Sequence, residues 1–411
     1  MRVLLMTYGS RGDVEPVTGL AVALRKLGVQ ALVCAPPDEE FAKLLAGAGV
    51  EHVPFGPSVR ALVTGATPPS PERAFQLAPE LVAAHFDTVA PAAEGCDALV
   101  ATGLMPAGAR SVTEKLGIRY VFACFHTVGL PSSHRPPAQR PGRPNPPGVT
   151  DNKALWDLDA ERVNALYGAA LNTHRAAIGL SPVDNVRDHV FTDRPWLAAD
   201  PVLGRWQEMT DLDLVQTGAW TLPDERPLPD ELLAFLEAGE PPVYVGFGSM
   251  PMRGSTDLAE TAVRAVRAQG RRVLVGRGWA DLAPADDLAD CFAVGEVSHQ
   301  ALFRRVAAVV HHGGAGTTTT AAQAGAPQVV VPQIVDQPHW AARVADLGIG
   351  AAHDGPTPTV ESLSAALAVA LDPGTRTRAS AVAASMRTDG AAVAAQLLLD
   401  EISREPRPVS A

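Results

Sequence analysis

Two adjacent histidines and a run of glycines stand between an apolar segment and a helical pattern in the second half of the chain. Glycine lets a backbone approach a ligand closely and adopt positive φ angles. The unpaired N–H groups and partial positive charge of a helix N-terminus favour a diphosphate. The run consists of His311, His312, Gly313, Gly314, Ala315, Gly316 and Thr317. It predicts a diphosphate site in which His312 donates a hydrogen bond and Thr317 or Thr318 caps the helix or binds phosphate.

The same run also fits a plain strand–turn–helix connection whose glycines serve packing, and the sequence pattern alone leaves both interpretations open. A Walker A loop is excluded because no Gly-Lys-Ser/Thr follows the glycines. The Gly-x-Gly-x-x-Gly pattern is also missing, which disfavours a dinucleotide-dependent oxidoreductase. The favoured interpretation is a cradle for the diphosphate of some other ligand.

Polar residues on either side of this run suit a sugar and a nucleoside. Asp336 and Gln337 follow the predicted strand Gln328–Val331 and offer a carboxylate acceptor beside an amide that both donates and accepts. Sugar hydroxyls need this mixture of partners. Upstream, the segment Gly295–Gln300 is placed to form a wall for a base and a ribose. Together these segments predict a nucleotide-sugar site.

A second group of polar residues lies near the N-terminus, where Ser10 and Asp13 follow the predicted first strand. In parallel α/β sheets, ligands bind at the carboxyl ends of the strands. Asp13 is therefore predicted to be the general base that takes the proton of an acceptor hydroxyl, and Ser10 to touch a donor phosphate. An aspartate ahead of a helix with Pro16 in its first turn is equally typical of a helix N-cap, so both roles stay open for Asp13.

Strand and helix patterns alternate in both halves of the chain, which predicts an α/β fold with parallel sheets. The predicted strands are Val3–Thr7, Ala31–Ala35, Val50–Pro54, Ala98–Ala101, Tyr120–Cys124, Pro242–Gly246, Arg272–Val275, Val306–His311 and Gln328–Val331. The predicted helices include Val14–Leu27, Glu39–Ala48, Leu258–Gln269 and Thr317–Ala324. His126 follows the fifth strand and is either an acceptor contact, an auxiliary base or a packing residue.

The length of 411 residues suits two domains. We predict an N-terminal acceptor domain over 1–215 and a C-terminal donor domain over 216–411, joined in the proline-rich stretch 200–240. The last helical stretch, Ala391–Ile402, either ends the second domain or packs back on the first. Residues 131–147 contain seven prolines and are predicted to form a functional or disordered loop with solvated arginines.

Charge and cysteine content exclude several classes of protein. The net charge of −11 disfavours a nucleic-acid binder. The sequence contains no run of 18 or more apolar residues, so no membrane span is predicted. Four cysteines without C-x-x-C spacing favour reduced thiols in the cytoplasm. No Asp-x-Asp motif lies near the glycine run, and Asp211-Leu212-Asp213 falls at the domain connection. We therefore expect no requirement for a metal or another cofactor.

The run from Val297 to Gln337 resembles the donor-binding signature of nucleotide-sugar-dependent family 1 glycosyltransferases. The resemblance implies the GT-B fold, with two Rossmann-like domains that face each other across a deep cleft. The residues it implies are Val297 and Gln300 at the nucleobase, His312 at the diphosphate, Asp336 and Gln337 at the hexose, and Ser249, Arg277 and Trp279 along the donor. Ser10, Arg11 and Gly12 complete the expected donor contacts. Trp279 is equally compatible with a core or interdomain position.

Several segments resemble a narrower group, the actinomycete glycosyltransferases that modify glycopeptide antibiotics of the vancomycin and teicoplanin type. These segments are Met1–Leu5, Gly9–Asp13, Val215–Trp220, Pro223–Pro227 and Tyr244–Ser249. The resemblance implies inverting O-glycosylation of an aromatic residue in a crosslinked heptapeptide aglycone. The Pro-Gln-x-x-Asp-Gln-Pro setting of Asp336 resembles the members that use UDP-hexoses, either glucose or N-acetylglucosamine.

Other functions remain compatible with the sequence. They are a macrolide-type glycosyltransferase, an enzyme that uses dTDP-deoxysugars, a nucleotide-sugar epimerase and a catalytically silent nucleotide-sugar-binding partner protein. The presence of Asp13, His312 and the Asp336-Gln337 pair argues against a silent protein. The expected partners are a UDP-sugar as co-substrate and a glycopeptide aglycone, without nucleic acid or membrane, for a monomer or weak homodimer.

Overall fold

The chain forms two compact units in a computed structural model. The structure describes residues 1–64, 71–138, 145–206, 212–248, 255–278 and 288–404, without the side chains of 71, 72 and 255–257. The first unit contains Met1–Pro201, Arg205–Leu222 and Arg387–Ala411. The second contains Val202–Gly204 and Pro223–Met386.

The first unit is built on a seven-stranded parallel sheet. Its strands are β1 (Arg2–Tyr8), β2 (Gln30–Ala35), β3 (Glu51–Pro54), β4 (Ala98–Gly103), β5 (Arg119–Cys124), β6 (Trp196–Leu197) and β7 (Val215–Gln216). Their order is β3-β2-β1-β4-β5-β6-β7. Leu4 and Leu5 point to opposite faces of β1 and are at most 1% exposed, because helices cover both faces of a parallel sheet.

The second unit is built on a six-stranded parallel sheet. Its strands are β8 (Val243–Gly246), β9 (Val273–Gly276), β10 (Cys291–Val294), β11 (Ala308–His311), β12 (Gln328–Val330) and β13 (Gly350–Ala352). The order β10-β9-β8-β11-β12-β13 reverses between β8 and β11. A crevice outside the carboxyl ends of the strands forms at such a reversal, so the connections after β8, β11 and β12 form one neighbourhood.

Helices pack on both sheets. Those of the first unit are α1 (Arg11–Lys26), α2 (Glu39–Gly47), α3 (Val59–Thr64), α4 (Pro71–Ala84), α5 (Ala90–Ala93), α6 (Ala109–Leu116), α7 (Asn152–Ala177), α8 (Val186–Phe191) and α16 (Gly390–Arg404). Those of the second unit are α9 (Asp230–Glu237), α10 (Ser255–Ala268), α11 (His299–Leu302), α12 (Ala315–Gln323), α13 (Gln337–Asp346), α14 (Val360–Ala370) and α15 (Pro373–Ser385). No helix in the described part of the chain has the length and apolarity that a membrane crossing needs.

All the predicted strands are present, but two helices that bear on function begin earlier than predicted. Helix α1 begins at Arg11 instead of Val14 because Ser10 is its N-cap residue. Helix α12 begins at Ala315 instead of Thr317 because Gly314 occupies the N-cap position. The prediction also missed short strands such as β13, whose sequence Gly-Ala-Ala carries little apolar signal.

The division between the units lies seven residues later than the predicted boundary at 215, since the first unit continues through Leu222. The reason is that Val215–Gln216 is the last strand of the first sheet. Trp220 also packs in the first core, edge-on to Trp196 with ring centroids 6.5 Å apart. The predicted boundary therefore cut the first sheet.

The last helix, α16, belongs to the first unit, which was one of the two predicted alternatives. Leu398 and Ile402 are part of the same hydrophobic core as the residues of β1 and α1. The Glu401 side chain is only 6% exposed and pairs with Arg119 at 2.9 Å and with Arg194 at 3.2 Å. Apolar packing and a largely buried carboxylate thus hold the C-terminal helix on the first sheet.

Candidate active site

The turn from β11 to α12 has the backbone geometry of an anion site. Gly313 has a φ of +92°, and a Cβ there would lie 2.7 Å from Val330 Cγ1, so glycine is required. The first intrahelical bond runs from the Thr318 N–H to the Gly314 carbonyl oxygen at 3.0 Å. The N–H groups of residues 315–317 come before that bond, so the helix itself provides them with no acceptor. They form the positive end of the helix dipole.

The threonines at the start of α12 do not cap it, so one of the two predicted alternatives is wrong, because Gly314 occupies the N-cap position. Thr318 instead donates through Oγ1 to the Gly314 carbonyl oxygen at 2.9 Å. Thr317 lies half-buried in the first turn, and Gly316 is exposed, so that a Cβ added there would meet no atom within 4 Å. Both residues therefore lie beside the open N-terminus of α12 rather than in its cap.

His312 follows β11 directly and carries a buried nitrogen with an unused hydrogen-bonding capacity. No partner for its Nδ1 occurs among the described residues. A Cβ on Gly314 would lie 2.7 Å from His312 Nε2, and one on Gly248 would lie 3.4 Å from Cε1, so these two glycines make room for the ring. Leaving such a buried polar atom unsatisfied costs about 1–3 kcal/mol. The arrangement therefore favours a ligand that bonds to His312.

His312 is neutral at physiological pH. Burial lowers the pKa of His312 to about 4, and the nearby carboxylate of Asp336 acts in the opposite direction. A neutral imidazole presents one N–H donor and one acceptor nitrogen. The ring thus offers a hydrogen bond to an anion without adding a full positive charge, and Asp336 lies close enough to influence it electrostatically.

Asp336 and Gln337 shape the connection from β12 to α13. Gln337 is 5% exposed, and its Oε1 accepts from the Gln333 N–H at 2.7 Å and the Ile334 N–H at 3.1 Å. Asp336 accepts through Oδ2 from Trp340 Nε1 at 2.7 Å. The amide oxygen of Gln337, a residue predicted to hold sugar hydroxyls, is thus used within the loop. The half-buried Asp336 carboxylate accepts through one oxygen among the bonds described.

The segment predicted to face the nucleobase is hydrogen-bonded to Asp224, which belongs to the same unit. Ser298 caps α11 and donates through Oγ to the Asp224 carbonyl oxygen at 3.0 Å. Gln300 Oε1 accepts from the Asp224 N–H at 3.3 Å. Val297 packs against the core of the second unit. Gln300 therefore acts in holding this segment, which the prediction of a base contact did not include.

Two further predicted donor residues fall outside the described residues, namely Ser249 and Trp279. Arg277, just after β9, is exposed, and its N–H donates to the Val294 carbonyl oxygen at 3.1 Å. A Cβ on the following Gly278 would lie 2.4 Å from the Gly248 carbonyl oxygen. The chain segments after β8 and β9 therefore approach each other backbone to backbone at the edge where His312 lies.

In the first unit, Asp13 is not the N-cap of α1 but the third residue of the helix. Its Oδ2 accepts from the Ser10 N–H at 2.9 Å, while Ser10 Oγ accepts from the Gly12 N–H at 3.3 Å. A Cβ on Gly9 would lie 2.1 Å from Asp13 Oδ2, so glycine leaves room for the carboxylate. This capping box holds the Asp13 carboxylate at the carboxyl end of β1.

Three other residues of the first unit for which the sequence predicted roles are Arg11, His126 and Arg135. Arg11 Nε donates to Glu15 Oε2 at 2.8 Å within α1, so this guanidinium is partly used inside the helix. His126, after β5, is half-buried, and its Nδ1 has no partner among the described residues. Arg135 of the proline-rich segment is tied to Thr127 Oγ1 and, through its carbonyl oxygen, to Trp156 Nε1 at 2.9 Å, so it is not simply solvated.

Metal-binding chemistry has no ready ligand set in the part of the chain that the structure describes. No group of three or more His, Cys, Asp or Glu side chains there is arranged to hold an ion. Asp211 of the Asp-x-Asp form lies outside the described residues. The described cysteines Cys34, Cys96, Cys124 and Cys291 are all free thiols.

Comparison with known proteins places this geometry in a family. Residues 286–398 match the erythromycin biosynthesis protein CIII-like C-terminal domain family. The chain is 56% identical over 413 residues to the vancomycin aglycone glucosyltransferase of Amycolatopsis orientalis, with 100% of both chains covered. It is 51% identical over 419 residues to the dTDP-epi-vancosaminyltransferase of the same organism, again with 100% of both covered.

The chain belongs to the family 1 glycosyltransferases. The fold agrees, since the glycotransferase of kitacinnamycin aligns with a TM-score of 0.73 at 19% identity, covering 97% of this chain and 98% of that one. The protein is thus an enzyme with the GT-B architecture of two parallel-sheet units, as the sequence resemblance implied.

For a glycosyltransferase, the structure adds residues that sequence reasoning did not assign. His311 was part of the predicted diphosphate run without a role of its own, and the structure shows that it bonds to Gly313 and to the buried Gln328. Trp340 holds the carboxylate of Asp336. The available signal for His311 was its place at the end of a buried strand, where the side chain needs buried hydrogen-bond partners.

Proposed function

We propose that this enzyme transfers a hexose, glucose or N-acetylglucosamine, from a UDP-sugar to an aromatic hydroxyl of a glycopeptide antibiotic aglycone, with inversion. The observation that carries the donor half is the buried Nδ1 of His312 beside the open N-terminus of α12. The acceptor half is supported by 56% identity to a vancomycin aglycone glucosyltransferase over the whole chain. The dTDP-epi-vancosaminyltransferase at 51% identity makes a dTDP-deoxysugar the second candidate donor.

In the proposed reaction the acceptor oxygen forms a bond to the anomeric carbon as the bond from that carbon to the diphosphate oxygen breaks. The phenolic proton passes to the Asp13 carboxylate, and the departing electron pair stays on the diphosphate. The N–H groups of residues 315–317 and the neutral ring of His312 stabilise this developing charge. Attack from the face opposite the leaving group inverts the anomeric centre.

The hexose is proposed to bind beside Asp336, whose carboxylate accepts from Trp340 through one oxygen only among the bonds described. The second oxygen accepts from a sugar hydroxyl. We further propose that no metal is needed, because helix N–H groups and an imidazole N–H supply the hydrogen bonds to the diphosphate. Four free thiols support a reducing, cytoplasmic setting.

The deciding experiment mixes the purified enzyme with a glycopeptide aglycone and, in separate reactions, UDP-glucose, UDP-N-acetylglucosamine and dTDP-deoxysugars. Mass spectrometry identifies the product, and NMR of the anomeric proton gives its configuration. A macrolactone acceptor tests the macrolide alternative, and donor alone tests an epimerase. The proposal expects an O-linked hexose on the aglycone with inverted configuration, and the same rate with a chelator present.

Three results contradict the proposal. Transfer only to the macrolactone overturns the acceptor, and transfer only from dTDP-deoxysugars overturns the donor. Binding of the donor without transfer to any acceptor favours a silent partner protein.

A further inference from the structure

The two adjacent histidines of the glycine-rich turn differ in burial and in the hydrogen bonds of their rings. His312 has an unpartnered ring nitrogen, whereas His311 is fully buried and uses both of its ring nitrogens. His311 Nδ1 accepts from the Gly313 N–H at 3.0 Å, and Nε2 lies 2.9 Å from Oε1 of Gln328. Gln328 is also fully buried, and its Nε2 donates to the Thr318 carbonyl oxygen at 3.3 Å.

The chemistry of the groups fixes which is the donor and which the acceptor in each of these hydrogen bonds. A backbone N–H can only donate, so Nδ1 of His311 carries no proton and acts as the acceptor. The proton of the neutral ring is then on Nε2, which donates to Gln328 Oε1. The Gln328 amide nitrogen in turn donates to Thr318. One tautomer of His311 and one orientation of the Gln328 amide satisfy all three hydrogen bonds.

These hydrogen bonds connect three backbone segments around the proposed diphosphate site. Gly313 lies in the turn, Gln328 begins β12, and Thr318 belongs to the first turn of α12. The Gly313 N–H is used by His311 and is therefore not available to a phosphate. The donors beside this turn include His312 and the N–H groups of residues 315–317, whose directions depend on how the turn is held.

We propose that His311 is a positioning residue for the leaving diphosphate, acting through Gly313. It holds the turn at the positive φ that sets the ring of His312 and the first N–H groups of α12 toward one point. This inference rests on the proposed function, because it assumes that the nucleoside diphosphate binds at this turn. It assigns to His311 no contact with the ligand.

Three substitutions of His311 distinguish a role in positioning the turn from a role in filling space in the core. Asparagine places its Oδ1 where the His311 Nδ1 lies and accepts from the N–H two residues on, as in an Asx-turn. Glutamine reaches toward Gln328 but does not present an acceptor to Gly313. Leucine fills space and bonds to neither. The variants are His311→Asn, His311→Gln and His311→Leu.

The measurement is the dissociation constant of UDP by calorimetry, together with kcat and the donor KM for each variant. Loss of the bond to Gly313 is expected to weaken UDP binding about tenfold in His311→Leu and in His311→Gln. His311→Asn should bind UDP within about threefold of the wild type. The acceptor KM should stay unchanged in all three, which general damage to the fold would not produce.

Equal UDP affinity in the asparagine and leucine variants, or recovery by glutamine instead of asparagine, overturns the inference. If the wild type itself binds neither UDP nor dTDP, the proposed function fails first and is recognised separately. If the variants do not fold, the tautomer of His311 in the wild-type enzyme tests the inference instead. In ¹⁵N NMR spectra, His311 should carry its proton on Nε2 with and without UDP, and a proton on Nδ1 overturns the inference.

Discussion

Replacing Asp13 by asparagine separates two tasks that this side chain combines. The Asp13 carboxylate accepts from the Ser10 N–H at 2.9 Å in the capping box of α1, and we propose that it also removes the acceptor proton. Asparagine keeps an oxygen that accepts from Ser10 but has no basic carboxylate. Alanine loses both. The pair Asp13→Asn and Asp13→Ala therefore reports chemistry and helix capping independently.

The two variants are expected to differ in stability but not in chemistry. Loss of a general base lowers turnover by about 10²–10⁴ in both. Loss of the cap lowers the free energy of unfolding by about 1 kcal/mol in the alanine variant only, which corresponds to about 2–4 °C in Tm for a domain of this size. The dissociation constant of UDP should change little in either variant, because Asp13 is not a diphosphate ligand.

The assay is release of the nucleoside diphosphate with saturating donor and aglycone, together with thermal unfolding. Thr359→Ala is the matched control, since Thr359 forms a capping box with Ser362 at the start of α14; it should lower Tm similarly and leave turnover unchanged. A phenol becomes ionised near pH 10 without help, so the deficit of Asp13→Asn should shrink as the pH rises toward that value. Full turnover of Asp13→Asn at pH 7 would refute the base assignment.

Three further predictions concern His312, Glu401 and the response to acid. His312→Ala should weaken UDP binding at least about tenfold, with the exposed His134→Ala as a control that leaves binding unchanged. Glu401→Gln should lower the free energy of unfolding by about 2 kcal/mol, because a carboxylate 6% exposed loses its pairs with two arginines, whereas Glu39→Gln in the exposed pair with Lys43 should change nothing measurable. Burial lowers the pKa of His311 to about 3 and of His312 to about 4, so the unfolded chain takes up protons first, and urea midpoints should fall as the pH is lowered from about 6.5 toward 4. Unchanged UDP affinity, equal losses at Glu401 and Glu39, or flat urea midpoints over this range would contradict the respective predictions.

The elements that carry the site were predictable because their signals are local. Apolar runs such as Val3–Thr7 and Val306–His311 predict buried strands whichever way the chain continues, and a glycine-rich turn after a strand is typical of a site where the backbone approaches a ligand. The sequence also placed Asp13 and His312 at the carboxyl ends of strands. What it misplaced were helix starts, since Ser10 and Gly314 compete with nearby residues for the N-cap position and only backbone conformation decides between them.

The roles of Gln337, Gln300 and His311 depended on hydrogen-bond partners that the sequence order does not reveal. Gln337 Oε1 is used by the backbone of its own loop, and Gln300 Oε1 is bonded to Asp224, 76 residues earlier. A side-chain amide shows which bonds it can make but not which groups lie within reach. Pattern reasoning therefore assigned both glutamines to the ligand without showing that their side-chain oxygens also accept hydrogen bonds from the backbone.

By itself the sequence determined the α/β class, the glycine-rich turn after a buried strand and the resemblance to glycosyltransferases, because residue type and spacing express these features locally. It also predicted functional roles for Asp13 and His312. Only the tertiary structure decided that α16 packs on the first sheet and that the first unit runs to Leu222. It also decided that His311 is fully buried with both ring nitrogens bonded, whereas His312 Nδ1 has no partner among the described residues. The reason is physical: which hydrogen-bonding atoms are already satisfied depends on neighbours that the fold brings together, and the sequence order does not show those neighbours.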